Sequence, residues 1–163
     1  MKQALYSKLA AYIIENQDRF YRLAFSYVKN QDDALDVVQS AVCKALTHYK
    51  ELKNEEAFKT WLYKIVINES LNLLKTRKHF VLAEKCSEDV PYEEKQYEVH
   101  DDLYDQIGRM ETDTQNIIKL RFFEELELYE IARVMSMNLS TVKTKLYRGL
   151  KALKVAIEKE AGI

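Results

Sequence analysis

The sequence predicts an all-α fold: two small helical domains joined by an acidic linker, the C-terminal one a helix-turn-helix. Three observations carry this prediction. Only three glycines and one proline interrupt the 163 residues, so turn signals are few. Apolar residues recur at three- and four-residue spacing over long stretches, the mark of amphipathic helices. The one proline, Pro91, sits where that spacing fades and acids accumulate, which suits a linker. With 47% hydrophobic and 31% charged residues, the chain carries both a core and a solvated surface, which argues against global disorder.

Each element follows from its own pattern. Phe20, Leu23, Ala24, Tyr27 and Val28 form one buried stripe of a first helix. Asn30, Gln31 and Asp32 break it, with Asp32 expected as N-cap of the next helix. That second helix is expected to turn Leu35, Val38, Val42, Leu46 and Tyr49 inward. A third, about Glu55 to Lys78, is dense in apolar residues, among them Phe58, Trp61, Leu62, Ile65 and Val66. Residues 1–78 make the first domain. The linker, 79–102, holds eight acids against Lys85 and Lys95. The second domain, 103–163, resumes helical spacing at Leu103, and Thr112 with Gln115 resembles a capping box. Two further helices follow, Leu128–Met135 and about Leu139–Ile157, with Ala132 small at their crossing and Asn138 placed to cap the second. Ile131, Leu139, Val142 and Leu146 are the expected shared core.

A formal net charge of −1 is misleading for function, because basic and acidic segments cancel. From Ser140 to Ile157 the charges are Lys143, Lys145, Arg148, Lys151 and Lys154, with no acid. An ordinary surface helix mixes signs. Here Val142, Leu146, Leu150 and Leu153 form an apolar back, and Ser140, Lys143, Thr144, Tyr147, Lys151 and Lys154 fall on the opposite arc. That is the pattern of a helix entering the major groove: Lys143 and Thr144 at base edges, Tyr147 against a thymine methyl or sugar, Lys145 and Arg148 on phosphates.

Two more polar stripes stand out. Asp36, Gln39, Ser40 and Cys43 share one face of the second helix, opposite the apolar one; such a stripe can dock a partner, although taken alone a solvated face is its ordinary reading. Lys64, Asn68, Lys75 and Lys78 share one face of the third. Other functions find no support. Cys43, Cys86 and three scattered histidines lack metal-ligand or redox spacing. No nucleophile–base pair or Gly-rich phosphate loop is present, so neither an enzyme, a cofactor nor a small-molecule substrate is expected. The N-terminal sequence lacks a signal-peptide pattern, and no apolar run approaches the roughly 20 residues of a membrane span. A cytoplasmic protein with reduced thiols is expected.

In order along the chain, ALDVVQSAVCKAL, FKTWLYKIVINESLNLLKTRK and LRFFEELELYEIARVMSMNLSTVKTKLYRGLKAL resemble three motifs of the sigma-70 family: its polymerase-binding helix, its promoter-melting helix and its –35-reading domain. The short, two-domain form is similar to the extracytoplasmic-function branch, and the wording of the last motif to its SigV-like members, which answer cell-envelope stress. The resemblance implies that the chain binds core RNA polymerase through the β′ clamp helices and the β flap and directs it to promoter DNA. It implies polymerase contacts at Asp36, Gln39 and Ser40, and –10 contacts at Asn68, Lys64, Lys75 and Lys78. It implies –35 contacts at Ser140, Lys143, Thr144 and Tyr147, with Lys145 and Arg148 on the backbone. A membrane-anchored anti-sigma factor is the implied regulator, holding the chain at the inner face of the membrane. Departures from the family pattern are present in both domains: on the –10 face Ile67 replaces the usual arginine and Asn72 the usual aspartate, and Met110-Glu111 replaces the usual Leu-Pro before the last domain. Ser136 takes a turn position often held by glycine, and Gly149 replaces an alanine, expected to loosen the recognition helix by about 1 kcal/mol. The other reading of the same residues is a two-domain helix-turn-helix regulator acting without polymerase.

Overall fold

The computed structural model describes residues 2–53, 55–85 and 102–162. Among them every regular element is helical. Helix α1 spans Lys2–Val28, α2 Gln31–His48, α3 Phe58–Lys85, α4 Asp102–Gly108, α5 Thr112–Ile118, α6 Leu128–Met135 and α7 Leu139–Glu160; a π-helical turn, Lys119–Phe123, continues α5. Helices α1, α2 and α3 pack on one another as an N-terminal lobe, α4–α7 form a C-terminal lobe, and α6 lies against α3.

The break between α1 and α2 is made by Lys29, left-handed at φ 56°, and by Asn30, whose side chain accepts from the Asp33 N–H at 3.1 Å. Asn30, not Asp32, is therefore the N-cap; Asp32 sits in the first turn. Asp33 is drawn inward and paired with Arg77, which fastens the far part of α3 to the start of α2.

The register of α2 also differs from expectation. Its buried line is Ala34, Val37, Ala41 and Ala45, one position off the larger residues. Val38, Val42, Leu46 and Tyr49 flank the core, and Leu35 is 46% exposed. Small side chains let α2 lie close on α1 and α3, where Phe20, Leu23, Phe58, Leu62, Tyr63 and Val66 supply the bulk. Phe20 and Tyr63 meet edge to face with ring centroids 5.5 Å apart, a favoured aromatic geometry. Trp61 packs against this core from its margin.

Helix α3 opens through a short 3-10 turn, Glu55–Ala57, and runs on through Lys85. The expected linker, 79–102, thus begins within α3, and its residues 86–101 lie outside the described ones.

In the C-terminal lobe Ile107, Ile117, Ile118, Leu120, Ile131, Val142 and Leu146 are buried. The expected capping box at Thr112 is not formed: Glu111 holds the N-cap position, and Gln115 donates to the Gly108 and Met110 carbonyls at 3.1 and 2.8 Å, tying α5 back to the preceding turn. Leu139, expected in the shared core, is 40% exposed; it stands in the first turn of α7, before the crossing with α5. At that crossing sits Gly149, buried, where a Cβ would stand 2.5 Å from Thr114 Cγ2 and 3.2 Å from Ile118 Cδ1. The glycine admits the neighbouring helix.

Candidate nucleic-acid and partner surfaces

Helices α6 and α7 are joined by a turn in which Ser136 adopts the left-handed conformation, φ 53° and ψ 46°. Its N–H reaches the Arg133 carbonyl and the Met137 N–H the Ala132 carbonyl, so the last turn of α6 is satisfied while the chain reverses. Glu130 folds back to accept from the Glu127 N–H at 2.9 Å, closing the start of α6. Burial works against its charge, but that bond and the Lys59 ammonium hold its carboxyl below the usual glutamate range. Helix α7 is thereby fixed across α5 and α6, with Val142, Leu146, Gly149 and Leu153 buried along its back.

The opposite arc is open. Ser140, Lys143, Thr144, Tyr147, Arg148, Lys151 and Lys154 are all exposed, Tyr147 at 61%. Thr144 donates back to the Ser140 carbonyl at 2.9 Å. Lys145 is placed differently from its expected companion Arg148. Its ammonium lies 3.1 Å from Glu111 and 3.4 Å from Asp113, so it braces α7 against the start of α5. The charge left on the arc is carried by Lys143, Arg148, Lys151 and Lys154.

On α2, Asp36, Gln39, Ser40 and Cys43 are exposed on the side opposite the alanine line. On α3, Lys64, Asn68, Lys75 and Lys78 are exposed as well, but they do not share one environment. Lys64 donates to the Ser136 hydroxyl at 2.8 Å, and Lys64 and Asn68 edge a cleft whose other wall is formed by Asp113, Asn116, Val134 and Met135. Lys75 and Lys78 lie further along α3.

Sequence patterning missed the residues that hold the lobes together. Asn116, Lys119 and Glu124 are buried, each directed at α1 or α3. The available signal was a lone lysine between Ile118 and Leu120 in an apolar run, a charge with no solvated face to occupy. Among the described residues no group of histidine, cysteine or acidic side chains is arranged to hold a metal ion, and no helix is long and apolar enough to cross a membrane.

Comparison with known proteins agrees with this geometry. Residues 13–80 match the family model for sigma-70 region 2 and residues 100–153 that for sigma-70 region 4. The chain is 40% identical over 160 residues to the RNA polymerase sigma factor SigV of Bacillus subtilis, covering 98% of this chain and 96% of that one. It is 24% identical over 154 residues to the ECF RNA polymerase sigma factor SigW of the same organism, covering 85% and 82%. The fold is shared with CnrH, solved in complex with the cytosolic domain of CnrY, at a TM-score of 0.73 and 16% identity over 97% of this chain and 95% of that one. It is also shared with the sigma factor RpoE of Bartonella quintana, solved with the anti-sigma factor NepR, at a TM-score of 0.72 and 20% identity over 91% and 96%.

Proposed function

This chain belongs to the sigma-70 family of RNA polymerase sigma factors, in its extracytoplasmic-function branch, and from that premise we propose how its surfaces divide the work of directing core polymerase to promoters. The observation that carries the reading is the outer arc of α7, cationic and exposed, backed by a buried apolar stripe. Such a helix gains little from solvation alone but matches the depth and charge of a major groove.

In this reading α7 enters the major groove of the –35 element. Lys143 and Thr144 address base edges, Ser140 and Tyr147 stand beside them, and Arg148 lies on the flank where the phosphate backbone passes. Lys145 acts indirectly, keeping α7 seated on α5. The exposed stripe Asp36, Gln39 and Ser40 docks on the β′ clamp helices, and the C-terminal lobe takes the β flap. Asn68 offers an amide to the unpaired –10 strand, with Lys64, Lys75 and Lys78 following its phosphates. The polymerisation chemistry belongs to the core enzyme; this chain supplies promoter choice and strand capture. Regulation by an anti-sigma factor anchored in the membrane, within an envelope-stress response, accords with its likeness to SigV and with the named partners of its structural relatives.

Run-off transcription with core polymerase, with and without this protein, on a template carrying a promoter of an extracytoplasmic-function sigma factor tests the reading. A defined transcript that depends on the protein is expected. Promoter binding without any affinity for core polymerase would instead make the chain a free-standing helix-turn-helix regulator.

A further inference from the structure

The two ends of α3 are held differently. Its far part is fastened to α2 by the pairing of Asp33 with Arg77. Its start follows two 3-10 turns of three residues each, Tyr49–Glu51 and Glu55–Ala57. Just after the first, the Leu52 N–H donates to the Tyr49 carbonyl at 3.1 Å, and Leu52 is buried. Around this anchor Lys50, Glu51, Lys53, Glu55 and Glu56 are exposed. Turns so short have poor hydrogen-bond geometry and no cooperative helix behind them. Their position is set by what they pack against.

That support is the beginning of α1. Leu9 is wholly buried and Ile13 nearly so, which fixes this end of α1 on the lobe. From it the Tyr6 ring meets the Tyr49 ring edge to face, with centroids 5.1 Å apart and planes at 75°. The Lys8 ammonium pairs with the Glu55 carboxylate. One turn further on, Tyr12 lies against Phe58, the first residue of α3, at 6.3 Å between ring centroids. Three residues of α1 thus reach the first turn, the second turn and the helix start. All three precede residue 13, where the match to sigma-70 region 2 begins.

We propose that Tyr6 and Lys8 are positioning residues for –10 recognition. The start of α1 holds the two turns in register with α3, so that a strand following Lys78, Lys75, Asn68 and Lys64 meets them in one fixed place as it leaves the helix. The proposal rests on the assignment of α3 to that strand. Tyr6 and Lys8 act through Tyr49 and Glu55 and need no contact with nucleic acid. Their shares are unequal. The Lys8 and Glu55 side chains are 59% and 53% exposed, and an ion pair so open to water is weak. An edge-to-face ring pair carries no net charge to be screened and contributes about two- to tenfold to an equilibrium. Tyr6 therefore carries most of the brace. It is itself 39% exposed, so truncating it leaves the buried core of the lobe intact.

The test is run-off transcription by the full chain with core polymerase, on promoters alike at –35 and varied one base at a time through –10. In Tyr6→Ala the ratio between the strongest and weakest –10 variants is expected to fall about two- to tenfold. Its ranking of –35 variants and its affinity for core polymerase are expected to stay unchanged. Tyr6→Phe, which keeps the ring edge, is expected to keep the wild-type ratio, and Lys8→Ala to lower it by less than about twofold. Should Tyr6→Ala lose helix content by circular dichroism, Tyr6→Leu, with apolar bulk but no ring, takes its place. A residue that only stabilises the lobe lowers all promoters alike, so a uniform loss, or no change, would overturn the brace. Tyr6→Phe behaving like Tyr6→Ala would overturn the ring contact as its cause. Asn68→Ala is measured alongside. A –10 preference altered by Asn68→Ala but not by Tyr6→Ala overturns the brace alone; a preference altered by neither takes the assignment of α3 with it.

Discussion

At Gly149 local propensity and packing point in opposite directions. A glycine inside a helix costs about 1 kcal/mol relative to alanine, yet a Cβ there would stand 2.5 Å from a methyl of Thr114, itself buried. Overfilling such a contact costs about 1–3 kcal/mol, which outweighs the propensity gain. Gly149→Ala is therefore expected to lower the thermal midpoint by a few degrees in a melt followed by circular dichroism; a rise would mean that Thr114 yields. Lys119 gives a second residue-scale expectation. Burial, with repulsion from Lys29 added, brings its ammonium from the ordinary 10.5 down to about 7. Between those values the open or unfolded chain binds a proton that the docked form does not. Docking therefore strengthens as pH rises from 7 toward 10. Attraction between the cation and the Tyr27 ring works the other way and keeps the slope below about 1.4 kcal/mol per pH unit. Lys119→Met removes the titration, so its midpoint should exceed the wild type's most at pH 7 and by less at pH 9. A difference that stays constant or grows over this range would contradict that account.

Among the elements, α6 and α7 were the most legible, because large apolar residues mark the inner face and cations the outer one. Helix α2 was legible as a helix but not in register. Its core line is three alanines and one valine, and alanine's small apolar surface loses, in any pattern of hydrophobicity, to leucine and valine one position along. The α2 stripe survived the error because Asp36, Gln39 and Ser40 lie opposite either register. The end of α3 was misjudged because helix formation there continues into a segment whose composition resembles a linker. On α7, sequence spacing alone set Lys145 and Arg148 together, whereas the acids at the start of α5 take Lys145 inward. The remaining arc predicts a division of labour. A base contact discriminates by about 1–3 kcal/mol, while a phosphate contact weakens all sites alike and lowers the salt slope by about one ion. Lys143→Ala should relax preference at one or two –35 positions, and Arg148→Ala should weaken every promoter without reordering them. Binding or transcription on promoter variants at two salt concentrations decides it. Reordering by Arg148→Ala with uniform scaling by Lys143→Ala would reverse the orientation of α7 in the groove.

For the whole molecule, two lobes and their order could be read from periodicity, but their docking could not. The polar contacts across the junction join single residues far apart in sequence, and no periodic pattern encodes them. That docking leaves the α2 stripe exposed, which places Asp36 and Gln39 outside the packing that stabilises either lobe. Asp36→Ala with Gln39→Ala should weaken core-polymerase binding while the thermal midpoint moves by less than about 0.5 kcal/mol equivalent. A large stability loss with unchanged polymerase affinity would make these residues structural. The sequence separation across the junction also has a temporal side. Tyr27 and Asn116 are 89 residues apart, and Asp113, Val134 and Met135, which share a cleft with Lys64 and Asn68, are encoded after both. Synthesis proceeds at about 5–20 residues per second, and domains generally fold as units from the N-terminus. For seconds on the ribosome, then, α1–α3 can assemble with α3 free of α6, while α5 and α6 are still being made. The N-terminal lobe thus acquires its fold before the lobe it docks against exists.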